Sequence, residues 1–291
     1  MNKYFDFKDK EEVDNEENFK IKFNNGSFFK NFVDFLSLLS TIDKESNKEG
    51  NKYCWLLVNK KGIAASANYN NNAKVKNINS MFKINLLSEQ FTDYSVKRTI
   101  ELNINPKNIQ TLCKNINRSD EIILYSFGSK LSIKVYTHNL KKVETKEIIV
   151  EEVNFPLQED NSFYREFCDT SYTIHASEMS NLKKGIGFKS EIVQIKLHQD
   201  KLLEFNSTSH GISPLFIAYG NVDEKNKTDI LVMCSHIHLL SKLSNMCTKI
   251  RFYESKVLEN EDKNIKFIKI SASIDKPVYM GNIDIIISNI Q

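Results

Sequence analysis

Apolar and polar residues alternate in many short stretches of this chain, and in a few longer stretches the apolar residues recur at helical spacing instead. Alternation predicts strands with one buried face, as in FKIKF at 19–23 and TIELNI at 99–104. A spacing of three and four residues predicts amphipathic helices. The predicted helices cover residues 27–40, 105–118, 177–187 and 235–247. The chain is therefore expected to be rich in strands, with a few helices between them.

The predicted elements follow the same order in the two halves of the chain. Each half reads as a strand, a helix, four strands, a helix and three strands. Such a repeat indicates an internal duplication. The expected fold is therefore α+β, with two duplicated β-rich domains at 19–152 and 170–291, each with two helices on antiparallel sheets. Residues 153–169 contain Pro156 and little periodicity, which is typical of a connecting loop, and the charged residues 1–18 are expected to form a flexible tail.

The side of each predicted helix opposite its apolar stripe carries lysines, amides and hydroxyls, and few acids. On the fourth helix, for example, Lys242 and Lys249 fall on one side with His238. On a single helix such lysines are most simply a solvated surface. Repeated on every helix of a duplicated fold, such basic faces are harder to explain as solvation alone. The basic residues on these faces are Lys30, Lys107, Lys114, Arg118, Lys183, Lys184, Lys242 and Lys249.

Several local patterns also match one known family in the same order along the chain. Gly26-Ser27 precedes an apolar stretch, as at the start of that family's first helix. Tyr53-Cys54-Trp55, followed by Asn-Lys-Lys-Gly-Ile, matches a strand, turn and strand. The segment 86–94 (LLSEQFTDY) matches the family pattern L-x-S-E-x-F-x-x-Y and is the most specific of these. Together they resemble sliding clamps of the proliferating cell nuclear antigen family, and the resemblance covers most of residues 19–290.

The resemblance implies a DNA-clamp fold and a DNA polymerase processivity factor. In that family a head-to-tail ring of three subunits encircles double-stranded DNA without reading its sequence. The resemblance therefore makes the eight basic residues of the helix faces candidate DNA-binding residues that contact phosphates. Among them, the positions that match inward-facing positions of the family are Lys30, Lys114, Lys184 and Lys242. Ring closure by analogy would pair residues 144–152 of one subunit with residues 213–220 of the next.

The resemblance also implies binding of partner proteins. DNA polymerase and other replication and repair proteins would insert short peptide motifs beside the connecting loop. The positions that match this partner site are Pro156, Leu157, Ile286 and Ser288.

Composition and charge restrict these expectations further. The 40 basic and 37 acidic residues give a net charge of +3, so any contact with DNA must use a local basic patch.

The five cysteines contain no CxxC pair, which is typical of reduced thiols in an intracellular protein. No apolar stretch is long enough for a membrane span, and no membrane contact is expected. The charged extension and an Asn-, Lys- and Ile-rich composition suggest a large DNA virus or a fast-evolving eukaryotic lineage. The expected location is the nucleus, or a cytoplasmic viral replication compartment if the protein is viral.

Catalytic and metal-binding patterns were weighed and are not expected. Cys234, His236, His238 and Cys247 lie close enough in sequence to suggest zinc. The two histidines would point to different sides of a helix, however, and no second ligand pair has metal spacing. The sequence has no Gly-x-Ser-x-Gly pattern and no phosphate-loop Gly-Lys-Ser/Thr. We therefore expect no enzymatic activity, cofactor or metal.

Two alternatives remain open at this point. The first is an accessory protein that forms no ring: a monomeric or dimeric processivity factor, or a clamp-derived viral transcription factor, that binds DNA directly. It predicts binding to short duplexes and no trimer. The second is a hydrolase or transferase on a two-domain β scaffold. This would need convergent ionisable residues in a cleft, and the sequence shows no such set.

Overall fold

A computed structural model describes residues 17–39, 54–72, 77–127, 130–137, 142–152, 166–186, 192–198, 203–207, 215–219, 227–256 and 265–290. In the first half these form β1 (Glu17–Phe23), α1 (Gly26–Leu39), β2 (Cys54–Asn59), β3 (Gly62–Asn72), β4 (Asn77–Leu87), β5 (Asp93–Val96), β6 (Ile100–Ile104), α2 (Pro106–Leu112), β7 (Glu121–Phe127), β8 (Lys130–Thr137), β9 (Lys142–Ile149) and β10 (Glu151–Glu152). In the second half they form β11 (Phe167–His175), α3 (Ala176–Ile186), β12 (Ile192–His198), β13 (Leu203–Ser207), β14 (Leu215–Tyr219), β15 (Lys227–Met233), α4 (Cys234–Lys242), β16 (Cys247–Ser255), β17 (Ile265–Ile274) and β18 (Gly281–Ile290).

The strands form three antiparallel sheets. The first has the order β5-β1-β7-β8-β9, and the second, with nine strands, has the order β10-β6-β2-β3-β4-β18-β17-β16-β11. The third has the order β14-β13-β12-β15. In the nine-stranded sheet β4 pairs with β18 from Leu86 opposite Gly281 to Asn77 opposite Ile290. One continuous sheet therefore joins the two halves of the chain.

The expected α+β clamp fold of two duplicated β-rich domains, each with two helices on antiparallel sheets, is wrong. In the described part of the chain, eighteen strands and four α-helices make a mainly β protein with three antiparallel sheets. The largest sheet takes strands from both halves, so the sheets do not divide between two domains. Alternation identified individual strands but not their partners. Phe82 of β4 lies opposite Ile285 of β18, and both are almost fully buried, so the apolar faces of the two halves combine into one core.

The helices contact one another in the order α2, α1, α4, α3 and form what we call the helix layer. Their apolar stripes are buried as expected, for example Phe32 and Phe35 of α1 and Met179 and Leu182 of α3. Both sheet and helix residues belong to this one core, and α3 contacts β11 and β16. The nine-stranded sheet therefore has an inner face toward the core and an outer face on the opposite side.

Two helix boundaries differ from the expectation. The side chain of Asn105 caps α2 by accepting the backbone N–H of Lys107 at 3.1 Å, as the sequence predicted, but α2 ends at Leu112, well before residue 118. The fourth helix ends at Lys242 and is followed by a 3-10 turn over Leu243–Asn245. Residues beyond Asn245 are therefore not on that helix.

Candidate nucleic-acid interface

The first helix pair is held together by polar contacts that fix its lysines in place. The amide of Gln110 donates to the carboxylate of Asp34 at 2.9 Å and links α2 to α1. The ammonium of Lys30 donates to the backbone carbonyl of Lys114 at 3.3 Å. Lys30 and Lys114, which lie far apart in sequence, are therefore neighbours on one surface.

The second helix pair is joined by small hydroxyl side chains. Ser180 of α3 donates to the carbonyl of Ser241 at 3.3 Å, and its oxygen lies 3.2 Å from the hydroxyl of Ser244. Small side chains at a helix contact let the backbones approach closely. The lysines of this pair lie away from the contact, where Lys184 and Lys242 are exposed and Lys183 is half-buried.

The structure brings most of the predicted DNA-binding residues onto the helix layer. These helix-layer cations are Lys30, Lys107, Lys183, Lys184 and Lys242 on the helices, together with Lys114 and Arg118 in the turn region that follows α2. Within the described ranges none of them forms an ion pair with a carboxylate. Lysines on the strands do so repeatedly, for example Lys20 with Asp93 at 3.1 Å and Lys22 with Glu121 at 3.0 Å. The positive charge of the helix layer is therefore not neutralised by neighbouring acids.

The two carboxylates on the helices are held by other groups. Asp34 accepts from Gln110, as described above. Glu178 accepts from the hydroxyl of Tyr219 at 3.2 Å and from the amide of Asn181 at 3.3 Å. Burial, together with the charge of Glu178, raises the pKa of Tyr219 to about 12, so this phenol remains a donor at neutral pH. These contacts leave the lysines without acidic partners, although acids are present on the same helices.

Lys249 is the one candidate that the structure removes from the helix layer. It lies in β16, opposite His175 of β11, and not on the fourth helix. Its neighbour Ile250 is fully buried toward the core, whereas Lys249 is exposed on the outer face of the nine-stranded sheet. The helical spacing used in the prediction fails here because α4 has already ended and the chain has turned into a strand.

The histidines of α4 have structural surroundings. His236 is buried, with its Nδ1 accepting the backbone N–H of Met233 at 3.1 Å and its Nε2 at 3.2 Å from the hydroxyl of Ser80. Burial lowers the pKa of His236 to about 4. The Nε2 of His238 lies 3.6 Å from the sulfur of Cys234, and burial followed by the charge of Lys183 lowers the pKa of His238. No three His, Cys, Asp or Glu side chains in the described segments are grouped so that they could hold a metal ion.

Half of the predicted partner-binding set can be located. Ile286 lies on the outer face in a small buried cluster with Met81 and Phe267, and Phe167 packs against it. Ser288 is also buried, at 2 % exposure. An apolar patch therefore exists where this site was expected, but its central side chains are already covered by their neighbours. Pro156 and Leu157 lie outside the described residues.

Comparison with known proteins gives no assignment. No protein-family model matches the chain, and no curated protein matches it in sequence. None of the helices in the described ranges is long and apolar enough to cross a membrane. The function must therefore be argued from the surface itself.

Proposed function

We propose that the chain is a DNA polymerase processivity factor that holds double-stranded DNA against its helix layer without reading base sequence. The observation that carries the proposal is the absence, among the residues described, of any carboxylate paired with the helix-layer cations. Lysines that stabilise a fold are usually found with acidic neighbours, as on the strands of this protein. Cations left with solvent alone are available to replace the counterions of a phosphate backbone.

The chemistry of this surface favours contact without sequence recognition. Lysine ammonium groups are flexible point charges that bind phosphates, and phosphate contacts position a duplex without reading its bases. The cations are distributed over four helices of a continuous layer, so phosphates can exchange between them as the duplex moves. This is what a factor that keeps a polymerase on a moving template requires.

Two free sheet edges support assembly into a closed ring. Within the described ranges β9 has only β8 as a strand neighbour, and β14 has only β13. Val143 of β9 is 51 % exposed. An unpaired strand edge tends to pair with another chain. We propose that β9 of one subunit pairs with β14 of the next in a head-to-tail homotrimer, which acts with DNA polymerase in the nucleus or in a cytoplasmic viral replication compartment.

Charge reversal on the helix layer tests the DNA-binding surface. The variant Lys114→Glu/Lys242→Glu removes two cations from it, and the matched control Lys60→Glu/Lys61→Glu makes the same charge change at the exposed turn between β2 and β3. We expect the first variant to reduce the slope of log K against log salt for duplex binding by about 2, because two phosphate contacts are lost. The control should leave this slope unchanged. An equal reduction in both variants would reject the helix layer as the DNA surface.

Light scattering after size-exclusion chromatography tests the ring. A mass of three subunits that is lost when Val143→Glu is introduced supports closure through β9. A mass of one subunit at high micromolar concentration would rule out the ring. If the monomer still bound short duplexes through the helix layer, the protein would be a processivity factor or transcription factor that acts without encircling DNA.

A further inference from the structure

The outer face of the nine-stranded sheet carries a second basic site, which lies away from the helix layer. A cavity of about 250 Å³ opens between β16 and β17, and its walls include Lys249, Arg251 and Ser273. A β-bulge in β16 between Cys247 and Ile250 produces this arrangement. A bulge adds a residue to one strand, so Thr248 and Lys249 both lie on the outer face between two buried residues.

The two cations of this cavity have no acidic partner among the residues described. The side chains of Lys249 and Arg251 are both exposed, and neither forms a hydrogen bond or ion pair with a described side chain. The nearest acids are held by other groups. Asp275 accepts the hydroxyl of Thr248 at 3.0 Å, and Asp284 accepts the hydroxyl of Ser271 at 2.6 Å. The cavity therefore presents an ammonium, a guanidinium and the hydroxyl of Ser273 to solvent.

The surroundings of the cavity favour one anionic group over a polyanion. A neighbouring lysine on this face is neutralised, since Lys269 pairs with Asp284 at 3.4 Å. A nucleic acid needs a track of cations spaced along its backbone. A single phosphate needs only a guanidinium, which can donate two parallel hydrogen bonds, with an ammonium and a hydroxyl beside it.

We propose that the cavity between β16 and β17 binds a phosphorylated serine or threonine side chain of a partner protein. The doubly charged phosphate would pair with Arg251 and Lys249 and accept a hydrogen bond from Ser273. Asp275 also lines the cavity, where its carboxylate accepts the hydroxyl of Thr248. The proposal does not depend on DNA binding by the helix layer, since the two surfaces share no residue.

The test uses the full chain, labelled with ¹⁵N and deuterated, and follows backbone amide shifts in β16 and β17. The probe is N-acetyl-phosphoserine amide, with N-acetyl-serine amide as the unphosphorylated control. We expect saturable shifts with the phosphorylated probe at millimolar concentration, and none with the control. The double variant Lys249→Gln/Arg251→Gln should lose them, and Lys242→Gln on the helix layer should keep them. Thermal unfolding of each variant shows whether it is folded.

Several results would overturn the proposal. One is the absence of saturable shifts, and another is shifts of equal size in the double variant. If inorganic phosphate shifted these amides and the capped phosphoserine did not, the cavity would bind only a free anion. If a short DNA duplex shifted them and the Lys249→Gln/Arg251→Gln change abolished that effect, the outer face would be a nucleic-acid surface.

Discussion

The helix layer and the outer sheet surfaces differ in what surrounds their positive charges. On the strands, lysines lie next to acids on the neighbouring strand, as Lys22 of β1 does with Glu121 of β7. On the helices the described acids are bonded to amide and hydroxyl donors, and the lysines have no acidic partner among the residues described. The cavity with Lys249 and Arg251 is an exception to the pairing seen on the strands. Net charge alone conceals this difference, because at +3 the whole chain is nearly neutral.

Both surfaces depend on the continuous nine-stranded sheet that joins the two halves of the chain. Disrupting this sheet is expected to have the largest effect on stability. Gly281 begins β18 with a φ of 148°, and a Cβ there would lie 1.9 Å from the carbonyl oxygen of Asn85. We expect Gly281→Ala to lower the free energy of unfolding by on the order of 4 kcal/mol, because the added Cβ introduces both backbone strain and a steric clash. Urea unfolding measures the loss.

The neighbouring residue provides the control for this change. Asn282 is exposed on the same strand, so Asn282→Ala should change stability by less than about 0.5 kcal/mol. A Gly281→Ala protein as stable as Asn282→Ala would show that the junction between β4 and β18 tolerates movement.

A second way to weaken the junction is acidification. His236 of α4 contacts Ser80 of β4, so this pair also joins the halves. Burial lowers the pKa of His236 from 6.5 to about 4. The stability that the neutral ring contributes is complete above pH 6.5 and is lost as the pH falls toward 4, by about 3 kcal/mol in total.

Urea unfolding at pH 7.5, 5.5 and 4.5 tests this assignment. Between pH 5.5 and 4.5 the wild type should lose about 1 kcal/mol more than His236→Gln, which has no proton to gain at this position. The variant His175→Gln, at an exposed histidine of β11, should retain the wild-type dependence. An identical pH profile for His236→Gln and wild type would contradict the assignment.

The smallest expected effects come from single substitutions that compare an ion-paired lysine on a strand with a lysine of the helix layer. Lys22→Gln removes an ion pair on the sheet and should cost about 0.5 kcal/mol of stability with no change in DNA binding. Lys114→Gln, on the helix layer, should leave stability unchanged and lower the salt slope of duplex binding by about 1. The two measurements are urea unfolding and fluorescence anisotropy at several salt concentrations. Similar results for both lysines would remove the distinction between paired and unpaired charge.

The most specific part of the resemblance to sliding clamps has a structural role in this protein. Phe91 packs edge-on against Phe23, with ring centroids 5.0 Å apart, and Tyr94 donates from its hydroxyl to the carbonyl of Asn59 at 2.6 Å. Burial raises the pKa of Tyr94. Through these two contacts the segment 86–94 links β1 to the turn after β2. Its match to a family pattern therefore concerns packing, and the choice of function depends on the charged surface.

Local periodicity was a good guide to elements and a poor guide to their partners. The stripes of α1 and α3, the cap at Asn105 and the helix-layer cations were all identified from residues within a turn or two of one another. The short strand β5 was missed because four residues are too few to show alternation, and β10 was predicted as part of the same strand as β9. The placement of Lys249 failed because it assumed that a helix continued through a turn and a bulge.

The order of residues by itself determined where this chain forms strands and helices and which side of each helix is basic, since these depend on spacing over a few residues. Tertiary structure alone decided that β4 pairs with β18 and that Asp34 is bonded to Gln110. It also decided that Lys249 lies beside Arg251 on the outer face. Each of these depends on contacts between distant parts of the chain. Which charges are neutralised, and so which surface is left for a ligand, is settled only when those contacts form.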